Sequence, residues 1–163
     1  MSYDRASLDA ALAPLLAVIR ELDPSDPEKV TAELNARFAL DSEPMRELRA
    51  IVRTGVEARW LAERDNDGVR YGRVIKATSD DMLSVDCVHM RSAGVAHTHP
   101  NGEIDLLFEV EGEPTFDGHA PGWAVYAPGS WHVPRVDGGS MDILYFLPGG
   151  AIRFEAEPSA TRS

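Results

Sequence analysis

The run His97-Thr98-His99-Pro100-Asn101-Gly102-Glu103 places two histidines and a glutamate around a short turn. In an extended strand the side chains of residues i and i+2 point the same way, so His97 and His99 share a face. Pro-Asn-Gly is a turn sequence that reverses the chain and lets Glu103 approach that face. Two imidazoles and a carboxylate can bind a divalent metal ion and leave positions free for water or substrate. This run therefore predicts a metal site.

A second histidine motif lies downstream, where Gly122 is followed by Pro128-Gly129-Ser130-Trp131-His132. His132 offers a fourth ligand to the same ion. Histidines at such spacing are hard to explain as core residues, because burying them without a metal or hydrogen bonds is costly. We expect a divalent transition metal, and zinc, iron, manganese and nickel all fit these ligands.

Taken together, His-x-His-x3-Glu and the later Gly-x5-Pro-Gly-x2-His resemble the paired motifs of the cupin superfamily. The resemblance implies a jelly-roll barrel and a metal held by His97, His99, Glu103 and His132. The Glu-x6-Gly spacing usual in the family is met from Asp105 to Gly112, which makes Asp105 the alternative acidic ligand. Glu103 and Asp105 have the same strand parity, so both are expected to face the cavity.

The hydrophobic pattern changes period along the chain. Apolar residues recur at helical spacing in the first third, within Leu8–Ile19, Val30–Phe38 and Met45–Val56. From Val69 onward the segments are short and separated by turn residues. We predict strands at Val69–Lys76, Met82–Arg91, Gly94–His99, Glu103–Val110, Trp123–Ala127, Trp131–Val136, Met141–Leu147 and Ile152–Glu155.

These patterns and the cupin resemblance predict a mainly β fold: a cupin double-stranded β-helix, or jelly-roll barrel, preceded by an N-terminal helical segment. We expect the helical segment over residues 1–62, packing on a barrel over residues 63–163. The apolar strand face of Ile104, Leu106, Phe108 and Val110 needs a cover, either the helices or a second subunit. Since cupins commonly pair, we expect a homo-oligomer, most simply a homodimer.

Further pocket residues follow from strand parity. His89 and Arg91 lie on one face of the strand before the histidine motif, and in continuous register they join His97 and His99 in the cavity. Arg91 could then bind a substrate carboxylate in bidentate fashion, with Arg73 or Arg135 as alternatives. Trp123 and Tyr126 are candidates for the flat apolar walls that bind an aromatic ring.

Composition excludes several classes of partner. The chain has 163 residues and a net charge of −11, from 16 Lys+Arg and 27 Asp+Glu. No basic stripe for nucleic acid is visible, and an anionic membrane surface is equally disfavoured. The sequence contains one cysteine, Cys87, and no apolar stretch long enough to span a bilayer. We therefore expect a cytoplasmic protein.

A closer resemblance covers most of the chain. The helical N-terminal segment, the run from His97 to Leu106 and the chain length resemble the 4-hydroxylaminobenzoate lyase family. That resemblance implies a lyase of nitroaromatic catabolism that converts 4-hydroxylaminobenzoate to 3,4-dihydroxybenzoate with release of ammonia. Breaking the N–O bond needs a general acid and adding water needs a base.

In our interpretation, one of the two carboxylates binds the metal and the other carries out acid–base catalysis. Either Glu103 or Asp105 would serve as acid and base, helped by His89; of the two, we assign Glu103 to the metal and Asp105 to acid–base catalysis. Two alternatives remain open from sequence: a non-haem iron cupin dioxygenase acting on a small aromatic or thiol acid, and a non-catalytic cupin that binds a small molecule.

Overall fold

The computed structural model describes residues 2–79 and 82–154. Its helices are α1 (Arg5–Ile19), α2 (Pro27–Arg37) and α3 (Glu43–Ala58). The strands are β1 (Arg64–Asn66), β2 (Val69–Ile75), β3 (Leu83–Met90), β4 (His97–His99), β5 (Glu103–Phe116), β6 (Gly122–Tyr126), β7 (Ser130–His132), β8 (Val136–Pro148) and β9 (Arg153–Phe154).

Local sequence explains where the helices begin. The Asp4 side chain accepts a hydrogen bond from the Ser7 backbone N–H at 2.9 Å, which caps α1. Asp26 caps α2 in the same way, ahead of Pro27 in the first turn. The apolar positions predicted at helical spacing are buried, among them Leu8, Leu12, Leu15, Ile19, Val30, Leu34, Met45, Leu48, Ile51, Val52 and Val56.

Two antiparallel sheets face each other. The larger has the strand order β1-β2-β3-β8-β5-β6, and the smaller has the order β7-β4-β9. This is the double-stranded β-helix of a cupin, with helices ahead of it in the chain, so the predicted fold class is confirmed. β1 was not predicted, and its three residues are exposed polar side chains without an apolar alternation.

The larger sheet has one face toward the helices and one toward the smaller sheet. Alternation along β5 sends Ile104, Leu106 and Phe108 into a core shared with the three helices, whereas Leu107 joins a separate core inside the barrel. Glu103 and Asp105 have the same parity as Leu107. The helices thus cover the apolar strand face.

Polar contacts also fasten the helical layer to the larger sheet. The Trp123 indole N–H donates to the Phe38 carbonyl at 3.0 Å, at the end of α2. An Nη2 hydrogen of Arg49 on α3 is donated to the Glu109 carbonyl on β5 at 2.9 Å. These bonds satisfy main-chain acceptors at the seam between the two layers.

Two predictions extend past the described residues. The last predicted strand reaches Glu155, and the predicted barrel extends to residue 163, both of which lie outside the part that the structure describes. The domain boundary at residue 62 stays a prediction. In the described part of the chain, no helix combines the length and apolarity needed to cross a membrane.

Candidate metal centre

Three imidazoles converge between the two sheets. Antiparallel pairing of β4 with β7 sets His97 opposite His132, and His99 lies one strand repeat further on the same face. The Nε2 atom of His132 lies 2.8 Å from Nε2 of His99 and 3.0 Å from Nε2 of His97. The β4–β7 pairing therefore brings together histidines that are far apart in the chain.

Glu103 completes the cluster at the start of β5. Its Oε1 atom lies 3.3 Å from Nδ1 of His99, and its Oε2 atom lies 3.9 Å from Nε2 of His132. Ligand atoms from His97, His99, Glu103 and His132 all lie within 4.8 Å of one another. These are the four residues predicted as metal ligands.

The arrangement fits a metal ion on two grounds. Nitrogen ligands about 2.1 Å from an ion and at right angles to each other are about 3 Å apart, close to the separations here. Nδ1 of His99 and both carboxylate oxygens of Glu103 are buried, and apart from the neighbouring Asp105 carboxyl no described residue donates a hydrogen bond to the Glu103 oxygens. A cation would satisfy carboxylate oxygens that are otherwise costly to bury.

Burial sets the charge of the histidines. Desolvation lowers the pKa of His97 to about 4 and that of His99 to about 3, with the neighbouring imidazoles adding to the effect. Both rings are therefore neutral at pH 7, which is the form that binds metal.

The two carboxyls respond to burial in the opposite sense. Desolvation raises the pKa of Glu103 to about 8, and it raises the pKa of Asp105 well above its usual value. Repulsion from Glu103, and the hydrogen bond that protonated Asp105 can donate to it, hold the proton on Asp105. Without a metal, this pair binds a proton at neutral pH.

Asp117 orients one of the candidate ligands, and the sequence analysis did not identify it. Its Oδ2 atom lies 2.5 Å from Nδ1 of His132 and accepts the Tyr126 hydroxyl at 2.6 Å. Although burial opposes the effect, hydrogen bonds from His132 and Tyr126 lower the pKa of Asp117. A carboxylate on Nδ1 leaves Nε2 free to bind metal. In the sequence, Asp117 is followed by Gly118, and this pair indicates only a turn.

Tyr126 lies against the cluster, as its parity on β6 requires. Its ring centre is 4.5 Å from that of His132 and 5.8 Å from that of His99. Trp123, predicted as a second pocket wall, is on the opposite face of the same strand and packs on the helices. That prediction is wrong, because residues an odd number of positions apart on a strand point to opposite sides.

His89 is not at the metal centre, so its predicted place in the cavity is wrong, and the structure gives no support to the catalytic role that was predicted with it. It shares a face of β3 with Val85 and Cys87, both of which belong to the core under the helices. Its Nδ1 atom lies 2.8 Å from Oδ1 of Asp142, and Oδ2 of Asp142 lies 3.4 Å from Nε of Arg53 on α3.

Strand parity also predicted the wrong position for Arg91. It is exposed and follows the last residue of β3. Residues 91–96 leave the strand before β4 begins, so side-chain alternation is not carried from β3 to the histidine motif. The face of β3 that looks into the barrel carries Val88 and Met90 instead.

Comparisons with known proteins point to one family. The family model for PnbB, 4-hydroxylaminobenzoate lyase, matches residues 11–154. A 4-hydroxylaminobenzoate lyase of Nocardioides sp. (strain LMS-CY) is 30% identical over 171 aligned positions, which cover 98% of this chain and 99% of the relative. A protein of the same name from Pseudomonas putida is 28% identical, over 75% of this chain and 80% of the relative.

Among solved structures, a cupin-like protein from Thermotoga maritima is similar with a TM-score of 0.40 and 13% identity. The match covers 56% of this chain and 79% of that one.

Proposed function

The chain belongs to the 4-hydroxylaminobenzoate lyase family, and from that membership we propose that it converts 4-hydroxylaminobenzoate to 3,4-dihydroxybenzoate and ammonia. The observation that supports a catalytic site is the pair of fully buried carboxyls, Glu103 and Asp105, beside three convergent histidines. Strongly perturbed carboxyls next to a cavity are typical of proton-transfer sites.

The reaction balances with one net water and no external oxidant. The hydroxylamino oxygen accepts a proton and leaves as water, which makes the ring electrophilic. A water molecule adds to the ring carbon next to the C–N carbon and loses a proton, leaving an imine. A second water hydrolyses the imine, ammonia leaves, and loss of the ring proton restores aromaticity.

Asp105 is suited to the proton transfers. It is completely buried, carries no hydrogen bond from other described residues, and lies two positions along β5 from Glu103. A protonated Asp105 can donate to the departing oxygen, and the resulting carboxylate can accept a proton from the attacking water.

Glu103 and the three histidines would hold a divalent transition metal. When bound, such an ion supplies Lewis acidity and a fixed position for water or for a substrate oxygen. Asp117 keeps His132 in the tautomer that binds metal, and Tyr126 packs its ring against the same histidine. Asp105 is therefore the buried carboxyl that is not one of the proposed metal ligands.

Product analysis under anaerobic conditions tests the proposal. Metal-reconstituted protein is incubated with 4-hydroxylaminobenzoate, and 3,4-dihydroxybenzoate and ammonia are quantified with and without oxygen. We expect equal amounts of the two products and no dependence on oxygen. Product formation only in the presence of oxygen would instead support a dioxygenase, and tight binding without turnover would support a non-catalytic cupin.

A further inference from the structure

A cavity of about 870 Å³ opens next to the metal centre, between the larger sheet and the loop before β4. His97 and Tyr145 are part of its wall, which joins it to the cluster of ligands. Apolar wall residues include Val69, Val88, Met90 and Ile152. An aromatic acid that reacts at the metal centre can occupy this space.

Such a substrate needs a partner for its carboxylate, and few cations line the cavity. Of the residues described around it, only Arg64 and Arg73 are basic. Arg64 is on the short strand β1 and is exposed, as are its neighbours there. Arg73 is on β2, the next strand in the larger sheet, and its side chain is 41% exposed but ion-paired to Asp86.

Arg73 is held in a fixed orientation by Asp86 on β3. Its Nε atom donates to Oδ1 of Asp86 at 2.6 Å, and its Nη2 atom donates to Oδ2 at 3.2 Å. These contacts use two of the five N–H donors of a guanidinium group, and the other three can serve a second anion. A guanidinium fixed in this way loses little further freedom when it binds a carboxylate.

Sheet register aligns this pair with the carboxyls of the metal centre. Arg73 is opposite Asp86, Asp86 is opposite Tyr145, and Tyr145 is opposite Asp105, on adjacent strands. Directly opposed residues point to the same side of a sheet. The backbones of Arg73 and Asp105 are three strand spacings apart, or about 14 Å. Tyr145, which lines the cavity, lies between the Arg73–Asp86 pair and Asp105, so a ligand held by Arg73 can extend across Tyr145 toward the metal centre.

We propose that Arg73, held by Asp86, binds the carboxylate of the aromatic substrate and places the ring across Tyr145, with the reacting nitrogen directed toward His97 and the metal centre. The inference rests on the proposed function for the identity of the substrate. The cavity and its cation indicate an aromatic acid, and the polar para substituent comes from the proposed function. Arg73 is then the residue that selects a carboxylated ring over a neutral one.

Equilibrium binding tests this without requiring turnover. Metal-loaded protein is titrated by calorimetry with 4-hydroxybenzoate and with the neutral isostere 4-hydroxybenzamide. We expect wild-type protein to prefer the acid. Arg73→Met should weaken binding of the acid by about tenfold to a hundredfold and leave the amide unchanged, as expected for loss of one charge-assisted pair. Arg73→Lys should bind the acid with an affinity between those of wild-type protein and Arg73→Met, because lysine keeps the positive charge but lacks the paired N–H donors of a guanidinium group.

Arg37→Met is the matched control. Arg37 also pairs with a carboxylate, that of Glu33 at 3.1 Å, and is about half exposed, but it is on α2 away from the cavity. This variant should bind both compounds like wild-type protein. Equal weakening of acid and amide in Arg73→Met would overturn the proposal, as would an effect confined to Arg64→Met.

Turnover separates this inference from the proposed function. If Arg73→Met loses affinity only for the acid, and wild-type protein still forms no 3,4-dihydroxybenzoate, the carboxylate subsite stands and the lyase assignment fails. If the wild-type protein turns over 4-hydroxylaminobenzoate and Arg73→Met retains its KM, the subsite is wrong and the lyase assignment stands. A raised KM with acid-selective loss of binding supports both.

Discussion

Glu103 and Asp105 are adjacent on one face of β5 and completely buried, yet their surroundings differ. Glu103 lies within reach of His99 and His132, whereas Asp105 is absent from the group of four potential ligands. The spacing of the motif left open which acid binds the metal. The geometry favours Glu103 as the ligand and Asp105 as the proton carrier.

Substitution of each acid by its amide separates the two roles. Glu103→Gln is expected to lower metal content, because a neutral amide is a poor substitute for a carboxylate ligand. Asp105→Asn is expected to keep the metal and the fold but lose about 10²–10⁴-fold in kcat, the usual contribution of a general acid–base group. Elemental analysis and steady-state kinetics measure both. Metal loss only from Asp105→Asn would reverse the assignment.

The stability of the metal-free protein should fall as pH rises from 6.5 to 8. Burial raises the pKa values of the neighbouring Glu103 and Asp105, that of Glu103 from 4.5 to about 8, so in that range the folded pair holds at least one proton that the unfolded chain has released. The lowered pKa values of His97 and His99 have the opposite effect on stability, but above their usual pKa of 6.5 that effect no longer changes with pH. One such proton changes the free energy of unfolding by at most about 1.4 kcal/mol per pH unit.

Chemical denaturation of chelator-treated protein at pH 6.5 and 8.0 measures this slope. The double variant Glu103→Gln/Asp105→Asn is the control and should show no comparable loss. Equal stability of the metal-free wild-type protein at the two pH values would contradict the prediction.

At the scale of single elements, β3 shows how a strand divides its residues between two environments. Val88 and Met90 face the barrel, while Val85, Cys87 and His89 face the helices. Burial raises the pKa of the Cys87 thiol far above its usual value, so this cysteine is an inert core residue. The polar group on the helix side, His89, joins Asp142 and Arg53 across the seam to α3.

We therefore expect His89→Leu to affect stability rather than catalysis. Asp142 is only 2% exposed and would lose a hydrogen-bond partner, which costs about 1–3 kcal/mol. Metal content and kcat should be unchanged, because the side chain points away from the metal centre. The checks are denaturant unfolding, elemental analysis and kinetics on the same preparation. A fall in kcat at unchanged stability would restore the catalytic role first assigned to His89.

In the whole molecule, the helices and the larger sheet share one hydrophobic core. Leu8, Leu34 and Leu48 belong to the same cluster as Ile104 and Leu106. Removing the helices would expose the apolar face of β5 and its neighbours to water. An exposed apolar sheet face of this kind is an aggregation liability.

A chain that lacks residues 2–60 is accordingly expected not to fold as an independent barrel. Full-length protein should unfold in one cooperative thermal transition, whereas the shortened chain should aggregate or lose its near-ultraviolet dichroism. Size-exclusion chromatography and circular dichroism provide the measurements. A monomeric shortened chain with a cooperative transition would show that the barrel does not depend on its helical cover.

Much of the fold follows from local pattern. Leu12, Leu34 and Leu48 lie in the core, as predicted. The prediction was possible because apolar residues recur with the 3.6-residue period of a helix, and that period can be read directly from the sequence. Predicted strands agree with β2, β3 and β6 to within one residue at each end. β5 and β8 are longer than predicted, because pairing with each other continues through register shifts near Gly112 that interrupt the alternation.

The sequence by itself indicated His97, His99 and His132 as candidate ligands, because each stands in a histidine motif, and it left Glu103 and Asp105 as alternatives for the acidic ligand. It also determined that Glu103 and Asp105 share a face. Only the tertiary structure decided which side of β3 meets the helices, that Asp117 contacts His132, and that Arg73 rather than Arg91 lines the cavity. Side-chain alternation is a local property of an extended chain, and it ends wherever the chain leaves the strand, as at residues 91–96. Which face is buried under which layer depends on packing between segments distant in sequence, and no local spacing encodes that.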